Sequence, residues 1–240
     1  FSLIDGYSDF RLSGISENEG RFLLPEDLDI EKAHKIVNSL GGHPLALHLW
    51  SPESKLPEEV EAVQQFVEST VIEKLSEHGI SKLDELTITP APLLIDELSN
   101  QEGITELDES AILRWTKNKF EPHHLIRNVR RSLLSDDKTK TLHNIAANNW
   151  SEREGHRALW MESYHRIKSE NFDKSLLIDN IRIISQENTA IAALLIEDAL
   201  EFNDDSEIRM QAVSLAFERA EYEVVENHLS NIDISPKKKI

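Results

Sequence analysis

Gly41-Gly42-His43-Pro44-Leu45-Ala46-Leu47 is the stretch on which the reading of this chain turns. Ile30, Ala33, Ile36, Val37 and Leu40 precede it at helical spacing, so an amphipathic helix runs into it. A second apolar run, through His48, Leu49 and Trp50, leaves it. Two glycines release the backbone from the first helix. Pro44 then stands where a new helix starts, its φ already set and no N–H left unused. Periodicity alone describes a tight helix–turn–helix corner. A sharper reading is that a proline ring held at a helix N-terminus lies flat against a planar ligand, and the rest of the chain decides between the two.

The chain has 240 residues, 29% of them charged and 39% hydrophobic, the composition of a globular protein with room for more than one domain. The formal net charge of -18 argues against broad binding to nucleic acid or anionic membrane. There is no cysteine, so disulfide and thiolate chemistry are excluded and a reducing compartment is permitted. No apolar run approaches membrane-spanning length and no signal peptide opens the chain. The first residue is Phe1, which suggests a piece of a longer protein.

Outward from the corner, Ser16-Glu17-Asn18-Glu19 fits a capping box ahead of a short helix through Phe22 and Leu23 that stops at Pro25. Downstream, Pro52 and Pro57 mark a boundary. A long helix is predicted from Val60 to Leu75, ending near His78-Gly79, and a short one from Ser81 to Leu86. After Pro90 and Pro92, Leu93 to Leu98 make another apolar turn. Asp108 is placed as the cap of a helix through Ala111, Ile112, Leu113 and Trp115. A further helix after Pro122 carries Leu125, Ile126, Val129 and Leu133. Ser132 to Leu142 reads as a β-hairpin turning at Ser135-Asp136-Asp137-Lys138, with a helix from Asn144. Several helices, a hairpin and a helix is the order of a winged-helix unit. From Ser151 five helices are expected, separated by polar turns at Glu170-Asn171, Gln186-Glu187-Asn188 and Asn203-Asp204-Asp205. Small and large apolar residues alternate there, as in stacked antiparallel pairs. Ser235 to Ile240 reads as a frayed end or a linker. The expected fold is mainly α: a helical lid over 1–55, a winged-helix domain with a small β-hairpin over 56–150, and a TPR-like α-solenoid over 151–240.

GGHPLAL after an amphipathic helix, then KLDELTITPAPLLIDEL (82–98), IRNVRRSLLS (126–135) and KTLHNIAANNW (140–150), stand in an order that resembles signal-transduction NTPases of the STAND, or AP-ATPase, class, which includes NB-ARC proteins. The resemblance covers roughly residues 10 to 155 by motif and the remainder by architecture. It implies a lid, a winged helix and the start of a helical sensor. Pro44 matches the family's motif proline, which packs near adenine, and Gly41 and Gly42 shape the turn. His143 matches the motif histidine, which reaches the β-phosphate, where an imidazole donates a hydrogen bond and adds charge if protonated. Asn144 stands where many members have Asp, and His43 stands where an apolar residue is commoner. The resemblance implies ATP or ADP as the nucleotide of the full-length parent, an upstream NTPase core in the same chain, and a protein partner or ligand for the repeats. It also implies a cytoplasmic location and a swing about residues near 51–58. The chain has no GxxxxGK[ST] loop and no strand ending in paired acids for magnesium. As a fragment it is therefore expected neither to hydrolyse nucleotide nor to bind it tightly.

The ten histidines include no HExxH pair, so no metal site is expected, and the adjacent His123 and His124 point about 100 degrees apart on a helix. Arg127, Arg130 and Arg131 form the most basic face and are a candidate nucleic-acid or interdomain surface. As the helix before the predicted hairpin, theirs would be the one to enter a major groove. Asp136 and Asp137 nearby disfavour phosphate, and nucleic acid ranks second as a partner. Trp115, Trp150, Trp160 and Tyr164 read as packing residues. No carboxylate pair in an apolar setting suggests acid–base catalysis. The alternatives are a winged-helix DNA-binding regulator and a helical-repeat scaffold with no link to nucleotide.

Overall fold

The computed structural model describes residues 14–53, 56 and 63–232, with the side chains of 63–65 left aside. Two compact units emerge, one built from residues 1–87 and 92–133 and the other from 88–91 and 134–240. The start of the predicted long helix at Val60, half of the predicted pivot near 51–58 and the tail from Ser235 lie outside the described residues.

The first unit opens with α1 (Glu17–Gly20), where Ser16 Oγ accepts from Glu19 N and Glu19 Oε2 accepts from Ser16 N, closing the expected capping box. A 3-10 turn at Arg21–Leu23 follows and ends ahead of Pro25. Asp29 caps α2 (Ile30–Ser39) by accepting from Glu31 N and Lys32 N. Ala33, Ile36, Val37 and Leu40 are buried as expected, whereas Ile30 is half exposed at the helix start. Gly41 and Gly42 then take φ values of 61° and 62°, and Gly42 N donates back to Val37 O at 2.9 Å. This αL exit is the one glycine tolerates without Cβ strain. Pro44 opens α3 (Pro44–Leu49), which buries Ala46 and Leu47.

The predicted long helix is shorter. α4 spans Val63–Thr70, and the β-branched run Thr70-Val71-Ile72 breaks it into a 3-10 turn at Ile72–Lys74. Its stripe stays inside all the same, with Phe66, Val67, Val71, Ile72 and Leu75 buried. α5 (Glu77–Thr87) is longer than its predicted core because Ser76 caps it, accepting from Gly79 N.

The predicted hairpin at Ser132–Leu142 does not form, and that segment instead opens a helix. Ser135 Oγ accepts from Lys138 N, and Asp136 and Asp137 occupy a first turn where acids suit the helix dipole. Nor does a helix run through Leu113 and Trp115: α6 is confined to Ile104–Glu109. The hairpin lies just after it, as β1 (Leu113–Thr116) and β2 (Lys119–Pro122), antiparallel with Thr116 opposite Lys119. Lys117 adopts φ 58° at the two-residue turn. Phe120 is fully buried, and its N and O exchange hydrogen bonds with Leu93, so Leu93 adds a one-residue third strand. α7 (His124–Leu133) closes the unit.

The second unit stacks six helices: α8 (Asp136–Ser151), α9 (His156–Lys168), α10 (Lys174–Glu187), α11 (Thr189–Phe202), α12 (Ser206–Glu218) and α13 (Tyr222–Ser230). Neighbours in sequence are neighbours in space, and the three predicted turns fall at the breaks. Asp173, Asn188 and Asp205 are the N-caps. Ile167, Ile181, Ala192, Ile196, Ala199 and Ile208 form a continuous core at 1% exposure or less. The fold is mainly α, with one small β-hairpin and a helical-repeat architecture among the described residues.

Candidate functional site

At the corner, the ring of Pro44 is exposed while Ala46 and Leu47 behind it are buried. The corner is rigid because Ile15 N donates to Gly42 O at 2.9 Å, and a Cβ on Gly42 would lie 2.3 Å from Ile15 O. His43 is the N-cap of α3, its Nδ1 facing Ala46 N at 3.5 Å, so its ring supports the helix start as well as flanking Pro44. Burial lowers the His43 pKa.

Imidazole side chains gather near this corner. His123 has its pKa lowered by burial first and then by the charges of Arg114, His48 and His43, with Glu121 acting the other way. Arg114 and Glu121 sit opposite each other across the hairpin and form an ion pair, and Arg127 reaches the same carboxylate at 3.3 Å. One carboxylate thus stands among two guanidinium groups and three imidazoles. This grouping has no sequence signature, because its members come from α3, the hairpin and the start of α7.

The arginine helix is placed differently from its prediction. α7 follows the hairpin and does not precede it. Arg130 pairs with buried Asp84, and Arg131 donates to Thr87 O at 3.0 Å. Together with the Arg127–Glu121 pair, these contacts tie the face to its own unit. The helix ahead of the hairpin is α6, which carries Glu106, Asp108 and Glu109.

In the second unit, His143 lies on α8 at 5% exposure. Its Nδ1 is 2.8 Å from Nδ1 of His165 on α9, and His165 is 1% exposed. Tyr164 stands edge-on to both rings, at centroid distances of 5.7 Å and 5.2 Å. Burial, then the neighbouring His143, pushes the His165 pKa down to about 3. Asn144 accepts from the side chain of Asn171 and so serves as a helix-to-turn contact. His165 belongs to no motif, and only the packing of α8 on α9 brings it to His143.

Among the clefts of the repeats, two are lined by both polar and apolar side chains. One, of about 250 Å³, lies between α9 and α10 and is lined by Glu162, Arg166, Phe172 and Asn180. The other, of about 510 Å³, is lined by Ala190, Leu194, Ala212 and Val224. Leu176, Leu194, Phe217 and Tyr222 are each more than half exposed. Among the described residues no cluster of His, Asp or Glu is arranged to hold a metal ion, and no helix is long and apolar enough to cross a membrane.

No family model and no curated protein matches the sequence. A solved structure does: the Signal Transduction ATPase with Numerous Domains (STAND) protein with a tetratricopeptide repeat sensor, PH0952, from Pyrococcus horikoshii. The likeness has a TM-score of 0.60 at 15% identity and covers 92% of this chain. The chain spans only 36% of that protein's length.

Proposed function

We propose that this chain is the regulatory and sensor portion of a STAND-type signalling ATPase, controlling nucleotide-dependent switching and partner binding. The observation that carries this reading is the fold likeness across 92% of the chain to a STAND protein with a repeat sensor. In this reading residues 1–55 are the lid, 56–150 the winged helix and 151–240 the start of the sensor. The winged helix is supported by the order α5, Leu93, α6 and hairpin, with Leu93 bridging to Phe120 as its first strand. Pro44, with Gly41 and Gly42 behind it, packs near adenine. His143 meets phosphate, and ATP or ADP is held by a core absent from these residues. The exposed Pro44 ring suits a planar ligand. Chemistry belongs to the absent core, so these residues bind and regulate and do not hydrolyse. The exposed apolar residues of the repeats suit a protein partner or ligand. The DNA-binding alternative loses its recognition surface: the helix ahead of the hairpin is acidic, and the arginines are paired within their own unit.

The test is ADP retention in a longer chain that joins these residues to a phosphate-loop core. His143→Ala is expected to release ADP about tenfold faster, the loss of one hydrogen bond to a charged group, and to raise signalling activity. Unchanged ADP release sinks the assignment.

A further inference from the structure

The smaller cleft of the repeats, between α9 and α10, gathers donors and acceptors that the fold itself leaves unused. Arg166 and Glu162 stand one turn apart on α9, and Arg166 Nε donates to Glu162 Oε1 at 3.3 Å. Among the described residues, this is the one hydrogen bond made by either side chain, so both Nη groups and Glu162 Oε2 are open to a ligand. Asn180 of α10 is oriented by Ser163. The Ser163 hydroxyl uses its one proton on Leu159 O at 2.8 Å, so it accepts from Asn180 Nδ2 at 3.3 Å. That contact fixes the amide and leaves Asn180 Oδ1 as an acceptor with no partner among the described residues. Asp173 and Asn171 also line the cleft, but Asp173 caps α10 and Asn171 donates to Asn144. Phe172 and Leu177 add apolar surface, and Leu176 beside them is 56% exposed.

A guanidinium and a carboxylate side by side present a dipole and no net charge. A simple anion or cation meets one attraction and one repulsion there, whereas a zwitterion satisfies both groups at once. The volume of about 250 Å³ lies below the roughly 300–1,000 Å³ of sites for drug-sized molecules, so the ligand is small. We propose that this cleft binds a free α-amino acid with an apolar side chain, its carboxylate held by Arg166 and its ammonium by Glu162 and Asn180. The planar Nη donors match a carboxylate, and the ammonium donates to Glu162 Oε2 and Asn180 Oδ1. The apolar side chain covers Phe172 and the exposed Leu176. Such a ligand touches both helices of the pair and favours the arrangement of α9 and α10 that it bridges. That this binding feeds nucleotide switching rests on the sensor reading given above.

Titration of the 240-residue chain with L-leucine, followed by calorimetry and by backbone amide spectra, tests the site directly. The expected result is a Kd of about 0.1–1 mM, with shifts centred on Phe172 and Asn180. L-leucinamide lacks the carboxylate and N-acetyl-L-leucine lacks the ammonium, and each is expected to bind about tenfold more weakly. Arg166→Gln and Glu162→Gln are expected to weaken L-leucine by a similar factor. The ligand series is read on the parent chain, so it decides the matter even where a variant fails to fold. No binding of L-leucine up to about 10 mM, or shifts centred outside the cleft, overturns the proposal. So does N-acetyl-L-leucine binding as tightly as L-leucine, or L-alanyl-L-leucine binding more tightly, which would make a peptide C-terminus the occupant. In the longer chain with ADP, L-leucine is expected to change the rate of ADP release. Binding with unchanged release, while His143→Ala accelerates it, overturns the sensing role and leaves both the cleft and the nucleotide reading standing. Binding with release unchanged by L-leucine and by His143→Ala overturns the nucleotide reading and leaves the cleft as an amino-acid site.

Discussion

At the scale of single residues, the buried His165 ties stability to acid. Its ordinary pKa near 6.5 falls to about 3 on folding, so the unfolded chain binds a proton that the folded chain refuses. This contribution is complete above pH 6.5 and is lost progressively as pH falls toward 3. The slope is about 1.4 kcal/mol per pH unit within that window. Facing the ring are His143 and Tyr164, with Lys168 over Tyr164 at 5.9 Å. Urea denaturation at about pH 7 and about pH 5, above most carboxylate titration, is expected to show a loss in the parent that His165→Asn removes. An equal loss in the variant refutes this. Little at this scale is legible in the sequence. GGHP announced the exposed proline because glycine and proline act through their own backbone. His165 and the Glu121 ion pairs meet their partners only through tertiary packing, which leaves no local pattern.

At the scale of elements, the corner between α2 and α3 depends on the absence of a single methyl group. Gly42→Ala places a Cβ in a left-handed conformation and 2.3 Å from the carbonyl of Ile15. Strain and clash together are expected to cost about 2–4 kcal/mol, seen as a lower urea midpoint with an unchanged slope. A loss below about 0.5 kcal/mol would mean that the backbone moves aside freely. Helices were the easier elements to read. Glu170-Asn171, Gln186-Glu187-Asn188 and Asn203-Asp204-Asp205 separate apolar stretches too long for strands, and the breaks fall there. The hairpin was harder. Ser135-Asp136-Asp137-Lys138 suits a turn and a helix cap equally well, and the helix wins because Asp136 and Asp137 complement its N-terminal dipole. Leu113 to Pro122 was missed because Ile112 and Leu113 form an apolar pair that continues the pattern of α6. Only the pairing of Trp115 with Phe120, and of Phe120 with Leu93, makes it a sheet.

At the scale of the whole molecule, 44 acidic residues face 26 lysines and arginines. Pairs such as Lys168–Asp198 and Lys174–Asp205 are partly exposed and individually weak. The excess of carboxylate repels itself, so raising NaCl to about 0.5 M, where the screening length is only a few Å, is expected to raise the melting temperature at pH 7. A fall would mean that the ion pairs outweigh the repulsion. The mainly α architecture with helical repeats was legible in motifs and turns, and it accords with the likeness to a repeat-sensor STAND fold. The His143–His165 contact also has an evolutionary consequence. Two rings that divide one proton between them form a single inherited unit. Drift at either position leaves a buried nitrogen on the other without its counterpart, and selection then favours a compensating change 22 residues away.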